Sequence, residues 1–202
     1  MTSVVVLDYG SGNLRSAERA LARTGASVTV TPSLEAAASC DGLVVPGVGA
    51  FAACMAGIEA LDAGPVIAAR VAAGRPVLGI CVGMQILFEY GEEHGVVTKG
   101  LGLLPGAVTR LAAQRVPHMG WNTVVAPTGT RLFAGVDAGT RFYFVHSYAA
   151  TPAEGQGLVA VTEHGAPFVA AVEHGSLAAT QFHPEKSGDA GALLLRNWVS
   201  GL

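Results

Sequence analysis

Apolar residues in this chain follow two rhythms, and the change comes near Tyr90. Before it, short apolar runs alternate with stretches of helical period. Residues 3–7, Ser-Val-Val-Val-Leu, form a β-branched run that predicts a strand, and residues 14–23 carry apolar positions at helical spacing. Residues 28–31 and 43–45 predict two more strands, with a short helix at 34–38 between them. Helical period returns over 51–61 and 66–73, with a break expected at Gly64-Pro65. The run 77–80 then predicts a strand buried on both faces, followed by a helix bearing Met84, Leu87 and Phe88. Strands alternating with helices imply a mostly parallel sheet covered on both faces. Beyond Tyr90, short extended runs at 108–111, 122–126, 141–149, 157–162, 168–172 and 177–182 predict antiparallel ribbons extending that sheet, and 192–199 a closing amphipathic helix. No linker or low-complexity tract interrupts the chain, so residues 1–202 are expected to form one α/β domain.

Composition removes several functional classes. A net charge of -3 and a pI near 6.0 leave no basic surface for nucleic acid. The apolar N-terminal run has no cationic leader and meets Asp8 early, and the uncharged stretch 42–58 is broken by Pro46, Gly47 and Gly49. That stretch falls short of the ~20 apolar residues of a spanning helix, so a cytoplasmic chain without membrane contact is expected. The three cysteines, Cys40, Cys54 and Cys81, lack metal-ligand spacing and form no disulfide framework. No metal and no cofactor is expected.

In parallel sheets functional groups gather at the carboxyl ends of strands. Three glycine-bearing loops meet that description: 8–13, 46–49, and Gly79-Ile80-Cys81-Val82-Gly83. The last is the thiol counterpart of the Gly-x-Ser-x-Gly elbow, in which a strained strand-to-helix reversal projects the nucleophile. A lone cysteine also reads as a small core hydrophobe. Gly10 and Gly12 suggest a dinucleotide turn, but Arg15 stands where the third glycine is required. The 46–49 loop is either a tight turn or, beside a nucleophile, a source of backbone N–H groups that join Val82 N–H in an oxyanion hole. The segment Thr180-Gln181-Phe182-His183-Pro184-Glu185 supplies the remaining partners. Residues i and i+2 of an extended segment point the same way, so Glu185 holds one His183 nitrogen as N–H and leaves the other to take a proton from Cys81. Pro184 places the pair at a strand terminus. Acyl transfer through a thioester becomes the leading chemistry. Two further histidines, in Glu163-His164-Gly165 and Glu173-His174-Gly175, close apolar strands and read as solvent-facing turn residues.

The run Gly79-Ile80-Cys81-Val82-Gly83-Met84-Gln85, together with His183-Pro184-Glu185, resembles the class I (triad) glutamine amidotransferases, which hydrolyse glutamine and pass ammonia to a synthase. Five segments narrow the resemblance to the glutaminase subunits of imidazole glycerol phosphate synthases, over nearly the whole chain. They are Asp8-Tyr9-Gly10-Ser11-Gly12-Asn13-Leu14, Pro46-Gly47-Val48-Gly49-Ala50-Phe51, Val116-Pro117-His118-Met119-Gly120-Trp121-Asn122, Tyr143-Phe144-Val145-His146-Ser147-Tyr148 and Thr180 through Ser187. Pro-Gly-Val-Gly discriminates most, because anthranilate-type and pyridoxal-phosphate-type glutaminases resemble Pro-Gly-Gly there. Val82 stands where the family usually has Leu.

The resemblance implies a flavodoxin-like class I glutamine amidotransferase fold, with Cys81 as nucleophile, His183 as general base and acid, and Glu185 orienting the histidine. It implies an oxyanion hole from the backbone of Val48, Gly49 and Val82, and glutamine held by Gly47, Gln85, His146, Ser147 and Tyr148. It further implies a (βα)8-barrel cyclase subunit in a 1:1 heterodimer, met through Asn13, Trp121, Tyr143 and Lys186, and activation by that barrel. Trp121 and Tyr143 read equally as core aromatics. Two rival readings remain: a glutaminase serving pyridoxal phosphate or anthranilate synthesis, and a catalytically idle binding module, against which the intact Cys81, His183 and Glu185 argue.

Overall fold

A computed structural model describes all 202 residues, Met1 to Leu202. The elements in chain order are β1 (Ser3–Leu7), α1 (Leu14–Ala22), β2 (Ser27–Thr31), α2 (Leu34–Ser39), β3 (Gly42–Gly47), α3 (Phe51–Ala60), α4 (Ala63–Ala72), β4 (Val77–Cys81) and α5 (Val82–Gln85). There follow β5 (Phe88–Glu93), β6 (Val96–Lys99), β7 (Leu104–Arg110), β8 (His118–Thr123), β9 (Arg141–His146), β10 (Tyr148–Ala150), β11 (Leu158–His164), β12 (Ala166–His174), β13 (Leu177–Thr180), a single 3-10 turn (Pro184–Lys186) and α6 (Gly188–Val199).

The main sheet has seven strands in the order β11-β12-β13-β4-β3-β1-β2. From β13 to β2 every neighbouring pair is parallel, which reproduces the doubly wound order 2-1-3-4-5. Strands β3 and β4 are buried at every position, the outcome their unbroken apolar runs require when helices cover both faces. The helices divide accordingly, α1 packing on α6 while α4 packs on α2 and α3. A four-stranded sheet, β10-β7-β5-β6, and a two-stranded ribbon, β8-β9, complete the molecule.

Several expectations change. The C-terminal extension is antiparallel only at β11 and β12, because β13 returns parallel to β4. The helix expected beyond Cys81 lasts one turn, and Phe88 opens a strand instead. The reason is the two-residue loop His94-Gly95, both residues at positive φ (52° and 78°), which closes β5 onto β6 as a tight hairpin and draws residues 88–93 into a ladder. The break between α3 and α4 sits at Asp62, in the left-handed region at φ 54°, and not at Gly64-Pro65. Pro65 lies in the first turn of α4, where a missing N–H is harmless. No single helix is long and apolar enough to cross a membrane, and α3 and α4 meet at 91°.

Close packing behind Cys81 is the feature that positions the site. The ladder sets Gly47 opposite Cys81, and a Cβ at Gly83 would fall on the Val45 carbonyl oxygen, with only backbone there to yield. Gly83→Ala is therefore expected to remove about 3 kcal/mol or more of stability, read as a lowered denaturation midpoint. A midpoint equal to that of the parent chain would show that β3 and α5 separate freely.

Candidate active site

Cys81 ends β4 at φ 57° and ψ -115°, a conformation that side-chain-bearing residues rarely adopt. The strain turns its sulfur out of the sheet, and the neighbouring glycines make the reversal sterically possible. Because α5 is one turn long, local N–H groups, and not a long helix dipole, are what the sulfur meets at that end.

His183 follows β13 and is pinned to the β8-β9 ribbon. Its backbone N–H donates to the Tyr143 carbonyl at 3.0 Å. The Ser187 hydroxyl accepts from Tyr143 N–H at 3.0 Å and donates to the His183 carbonyl at 2.7 Å. His183 Nδ1 lies 2.7 Å from Glu185 Oε1, with both side chains 3% exposed. The pairing expected from i, i+2 alternation is present, but its cause differs: His183 is extended whereas Pro184–Lys186 curl into the 3-10 turn, which folds Glu185 back onto the ring. A carboxylate only accepts, so Nδ1 carries the proton and Nε2 is the nitrogen left for Cys81. Burial disfavours charge on His183, but nearby Cys81 and Glu185 outweigh it and raise the imidazole to about 9.

Cys81 and His183 open on a cleft of about 210 Å³, lined also by Val48, Gly49, Val82, Gln85, Glu93, Val145, His146, Ser147, Tyr148 and Lys186. A second hollow, of about 240 Å³, lies at the opposite end of β13 around Arg131, Ser176 and Trp198 and contains none of these groups. Within the cleft, the Gln85 amide donates to the Tyr148 carbonyl at 2.8 Å and to Gln181 Oε1 at 3.0 Å. Both its hydrogens are thereby committed, leaving Oε1 as the group it offers to a ligand. His146 Nδ1 donates to the same carbonyl at 2.9 Å, and its Nε2 accepts from His118 Nδ1 at 3.0 Å. Burial, reinforced by the neighbouring histidines and only partly offset by the bond to Tyr148, lowers His146 to about 3. Burial and His164 lower His118 to about 4. His146 thus stands in the cleft wall as a neutral ring.

The 46–49 turn is gripped from beneath by the loop after β1. The Tyr9 phenol donates to the Pro46 carbonyl. Val48 N–H donates to Ser11 Oγ at 3.2 Å, and that hydroxyl lies 3.0 Å from the Val48 carbonyl and 3.2 Å from Cys54 Sγ. In this resting geometry the Val48 N–H is bound to Ser11 and so is not offered to an oxyanion. Gly49, at φ 83°, gives the turn its pivot.

Of the residues assigned to a contact surface, Trp121 is 54% exposed and packs edge-on against half-buried Tyr143 at 5.8 Å. Trp121 is not a core aromatic. Lys186 is exposed at the cleft rim, and Asn13 lines a narrow gap with His183 and Glu185. His174 is exposed as expected, but His164 is not a free turn residue: it stacks on His118 at 4.4 Å and donates to the Arg115 carbonyl at 2.6 Å. Ser11, Glu93, His118, Gln181 and Ser187 escaped the sequence reading as site residues. Four of the five lie inside quoted motifs, yet no spacing rule ties them to Cys81; Glu93 sits on the unforeseen strand β5.

The glutamine amidotransferase class-I family model matches residues 5–201. The chain belongs to the class-I glutamine amidotransferases. Imidazole glycerol phosphate synthase subunit HisH of Mycobacterium tuberculosis (strain ATCC 25618 / H37Rv) is 65% identical over 202 residues, spanning 99% of this chain and 98% of the relative. The same subunit of Streptomyces avermitilis is 62% identical over 207 residues, spanning 98% and 96%. A crystal structure of a glutamine amidotransferase superposes with a TM-score of 0.77 at 21% identity, covering 98% of this chain and 99% of that one, and so shares the fold.

The histidines of this amidotransferase give it a stability that depends on pH in both directions. Those held at about 4 and about 3 refuse protons that the unfolded chain accepts near its ordinary 6.5, so stability is lost as pH falls through that window. His183, held at about 9, contributes fully below 6.5 and loses its contribution as pH rises through 9. The urea midpoint should therefore decline between pH 6.5 and 5, before most carboxylates titrate, and His118→Gln should flatten that decline. A midpoint unchanged over the window would show that the imidazoles are not held neutral.

Proposed function

We propose that Cys81, His183 and Glu185 are the catalytic triad of a glutaminase subunit of imidazole glycerol phosphate synthase, which supplies ammonia to a cyclase partner in histidine biosynthesis. The observation that carries the reading is the buried 2.7 Å pair of His183 and Glu185 beside a strained Cys81 at the head of a cleft. The close relatives point to the same synthase rather than to pyridoxal phosphate or anthranilate synthesis.

The chemistry follows from the protonation states. An imidazolium held by Glu185 pairs with a Cys81 thiolate, the form that attacks the side-chain carboxamide of glutamine. Negative charge gathers on the amide oxygen, where Val82 N–H and the backbone of the 46–49 turn stabilise it. His183 protonates the departing nitrogen, ammonia leaves, and a γ-glutamyl thioester remains on Cys81. Water then gives its proton to His183 and attacks the thioester, and glutamate is released with the thiolate restored. Gln85 Oε1 and the walls at His146, Ser147 and Tyr148 hold the substrate in place, while Gly47, which lies outside the cleft lining, supports the site from its place opposite Cys81 in the ladder.

The partner is a (βα)8-barrel cyclase bound 1:1 through Asn13, Trp121, Tyr143 and Lys186. Supporting this, Trp121 is 54% and Met119 61% exposed on the ribbon that anchors His183. The free chain is a poor glutaminase, because the bond from Val48 N–H to Ser11 leaves the oxyanion hole one donor short. Docking turns that peptide about Gly49 and completes the hole, which ties glutamine hydrolysis to the partner's readiness for ammonia.

Cys81→Ala should abolish glutamine-dependent synthesis by the complex while ammonia-dependent synthesis stays within about twofold. Loss of both activities in an intact complex would overturn the division of labour. Glu185→Gln should lower glutaminase turnover by about 10²-fold or more with the complex still assembled, and unchanged turnover would reduce Glu185 to scaffolding. Gly49→Pro should cut stimulation by the cyclase by about 10²-fold while Cys81 stays open to a small alkylating reagent. Full activity of the free parent chain would refute the switch.

A further inference from the structure

We propose that Gln181 is a positioning residue for the nucleophile: its carboxamide, locked in one orientation, donates an N–H to the Cys81 sulfur and so aims and stabilises the thiolate before glutamine arrives. Its catalytic consequence rests on the glutaminase reading, whereas its geometry does not.

The orientation follows from a single atom. A backbone carbonyl only accepts hydrogen bonds, so the Tyr148 oxygen dictates which end of Gln85 lies 2.8 Å away: it is the NH2. The second hydrogen of that NH2 points at Gln181, 3.0 Å away, which must present Oε1. The NH2 of Gln181 therefore occupies the other end, 3.8 Å from Cys81 Sγ, a long bond that the large sulfur atom still accepts. Inverting Gln181 would set NH2 against NH2 at Gln85 and a carbonyl oxygen against the thiolate. Two repulsions hold it as it is.

The same carbonyl orders the opposite side. His146 must donate to it through Nδ1, so its Nε2 is bare and accepts from His118 Nδ1. The Nε2 of His118 is then bare in turn and takes the Asn122 amide at 3.3 Å. The chain of hydrogen bonds is thus unbroken from the β8 ribbon to the nucleophile, and its sense reverses at the Tyr148 oxygen, which accepts from both sides.

The backbone leaves Gln181 little freedom. Thr180 pairs with Ile80 in the β13-β4 ladder, which brings the next residue level with Cys81. Gln181 N–H donates to the Ala170 carbonyl at 2.8 Å, and the side chain is fully buried. A bond from a dry amide to a thiolate is charge-assisted, and a buried NH2 without a partner would be destabilising. Only a side chain with an acceptor at one end and a donor at the other satisfies both neighbours.

Several titratable groups also face Cys81. His183 lies beside it, Glu93, His146 and Lys186 line the cleft, and Tyr9 and Cys54 are buried behind it. Gln181 differs from all of them in carrying no titratable group.

The test uses the assembled synthase. The rate of Cys81 alkylation by iodoacetamide is followed across pH by peptide mass spectrometry, together with glutamine- and ammonia-dependent turnover. Gln181→Met keeps the length and removes the N–H, whereas Gln181→Glu sets a carboxylate against the sulfur. For Gln181→Met the alkylation midpoint should rise by about one pH unit, and glutamine kcat should fall about tenfold to a hundredfold with KM within about threefold. Gln181→Glu should move both further, and ammonia-dependent turnover should hold in each. Should the variants fail to fold, the side-chain amide resonance of Gln181 in the parent protein, labelled with 15N-glutamine, should shift as Cys81 titrates. An alkylation midpoint unmoved in both variants, or a resonance indifferent to that titration, overturns the assignment. Alkylation requires neither glutamine nor an ammonia acceptor. Its failure therefore refutes Gln181 alone, while glutamine-dependent synthesis surviving Cys81→Ala refutes the glutaminase reading alone.

Discussion

The hydrogen-bond ladder joining β3, β4 and β13 is what the rest of the molecule depends on. Its register sets Gly47 level with Cys81 and Thr180 level with Ile80, so three chain segments far apart in sequence end at one height. The loops that leave those ends have no choice about where they meet. A slip of one residue in any of the three strands would exchange its two faces and carry the reactive groups away from each other. Burial on both sides makes such a slip prohibitive, because Val44, Val45, Leu78 and Ile80 have no polar face to offer solvent.

On that frame sits a pair of charges withdrawn from water. Taking His183 and Glu185 into the interior is unfavourable for each alone, and their mutual attraction compensates only because the geometry is tight and further bonds hold the turn. Ser187 does this holding, linking β9 to the His183 carbonyl through one hydroxyl. The second oxygen of Glu185 has no partner, so its position is secured by packing and by the bond its sibling makes. Strain is likewise concentrated where it serves. Cys81 is held at positive φ while β3 and β13, the strands on either side of it, pair with β4 in unbroken register.

Legibility in the sequence tracked how local the cause was. The strands β1, β3 and β4 could be read because a buried strand leaves an unbroken apolar run, and the Cys81 elbow because its glycines bracket it. Residues 84–93 were misread because Met84, Leu87 and Phe88 fit a helical period, while the deciding feature was the His94-Gly95 turn further on. That β13 runs parallel to β4 was invisible, since direction is a property of the whole path and not of four residues. The pairing of His183 with Glu185 was anticipated for a different reason than the one that operates. Ser11 and Gln181 were legible only as members of a motif, because the bonds they make to Val48 and Cys81 span 37 and 100 residues.

The atom that sets the direction of every bond from Asn122 to Gln181 belongs to the main chain at residue 148. No substitution can delete it. Inheritance acts on side chains, so the instruction that tells five side chains which end to present is stored where mutation cannot rewrite it, and the tyrosine ring remains free to answer to other demands. Each of the five is in contrast constrained by the one before it, and Asn122 a second time by the main chain, its amide donating to the Glu163 carbonyl at 2.9 Å and its Oδ1 accepting from Thr123 N–H at 2.9 Å. Such positions must change together if their bonds are to be kept, and the fixed point from which their agreement is counted is a peptide oxygen.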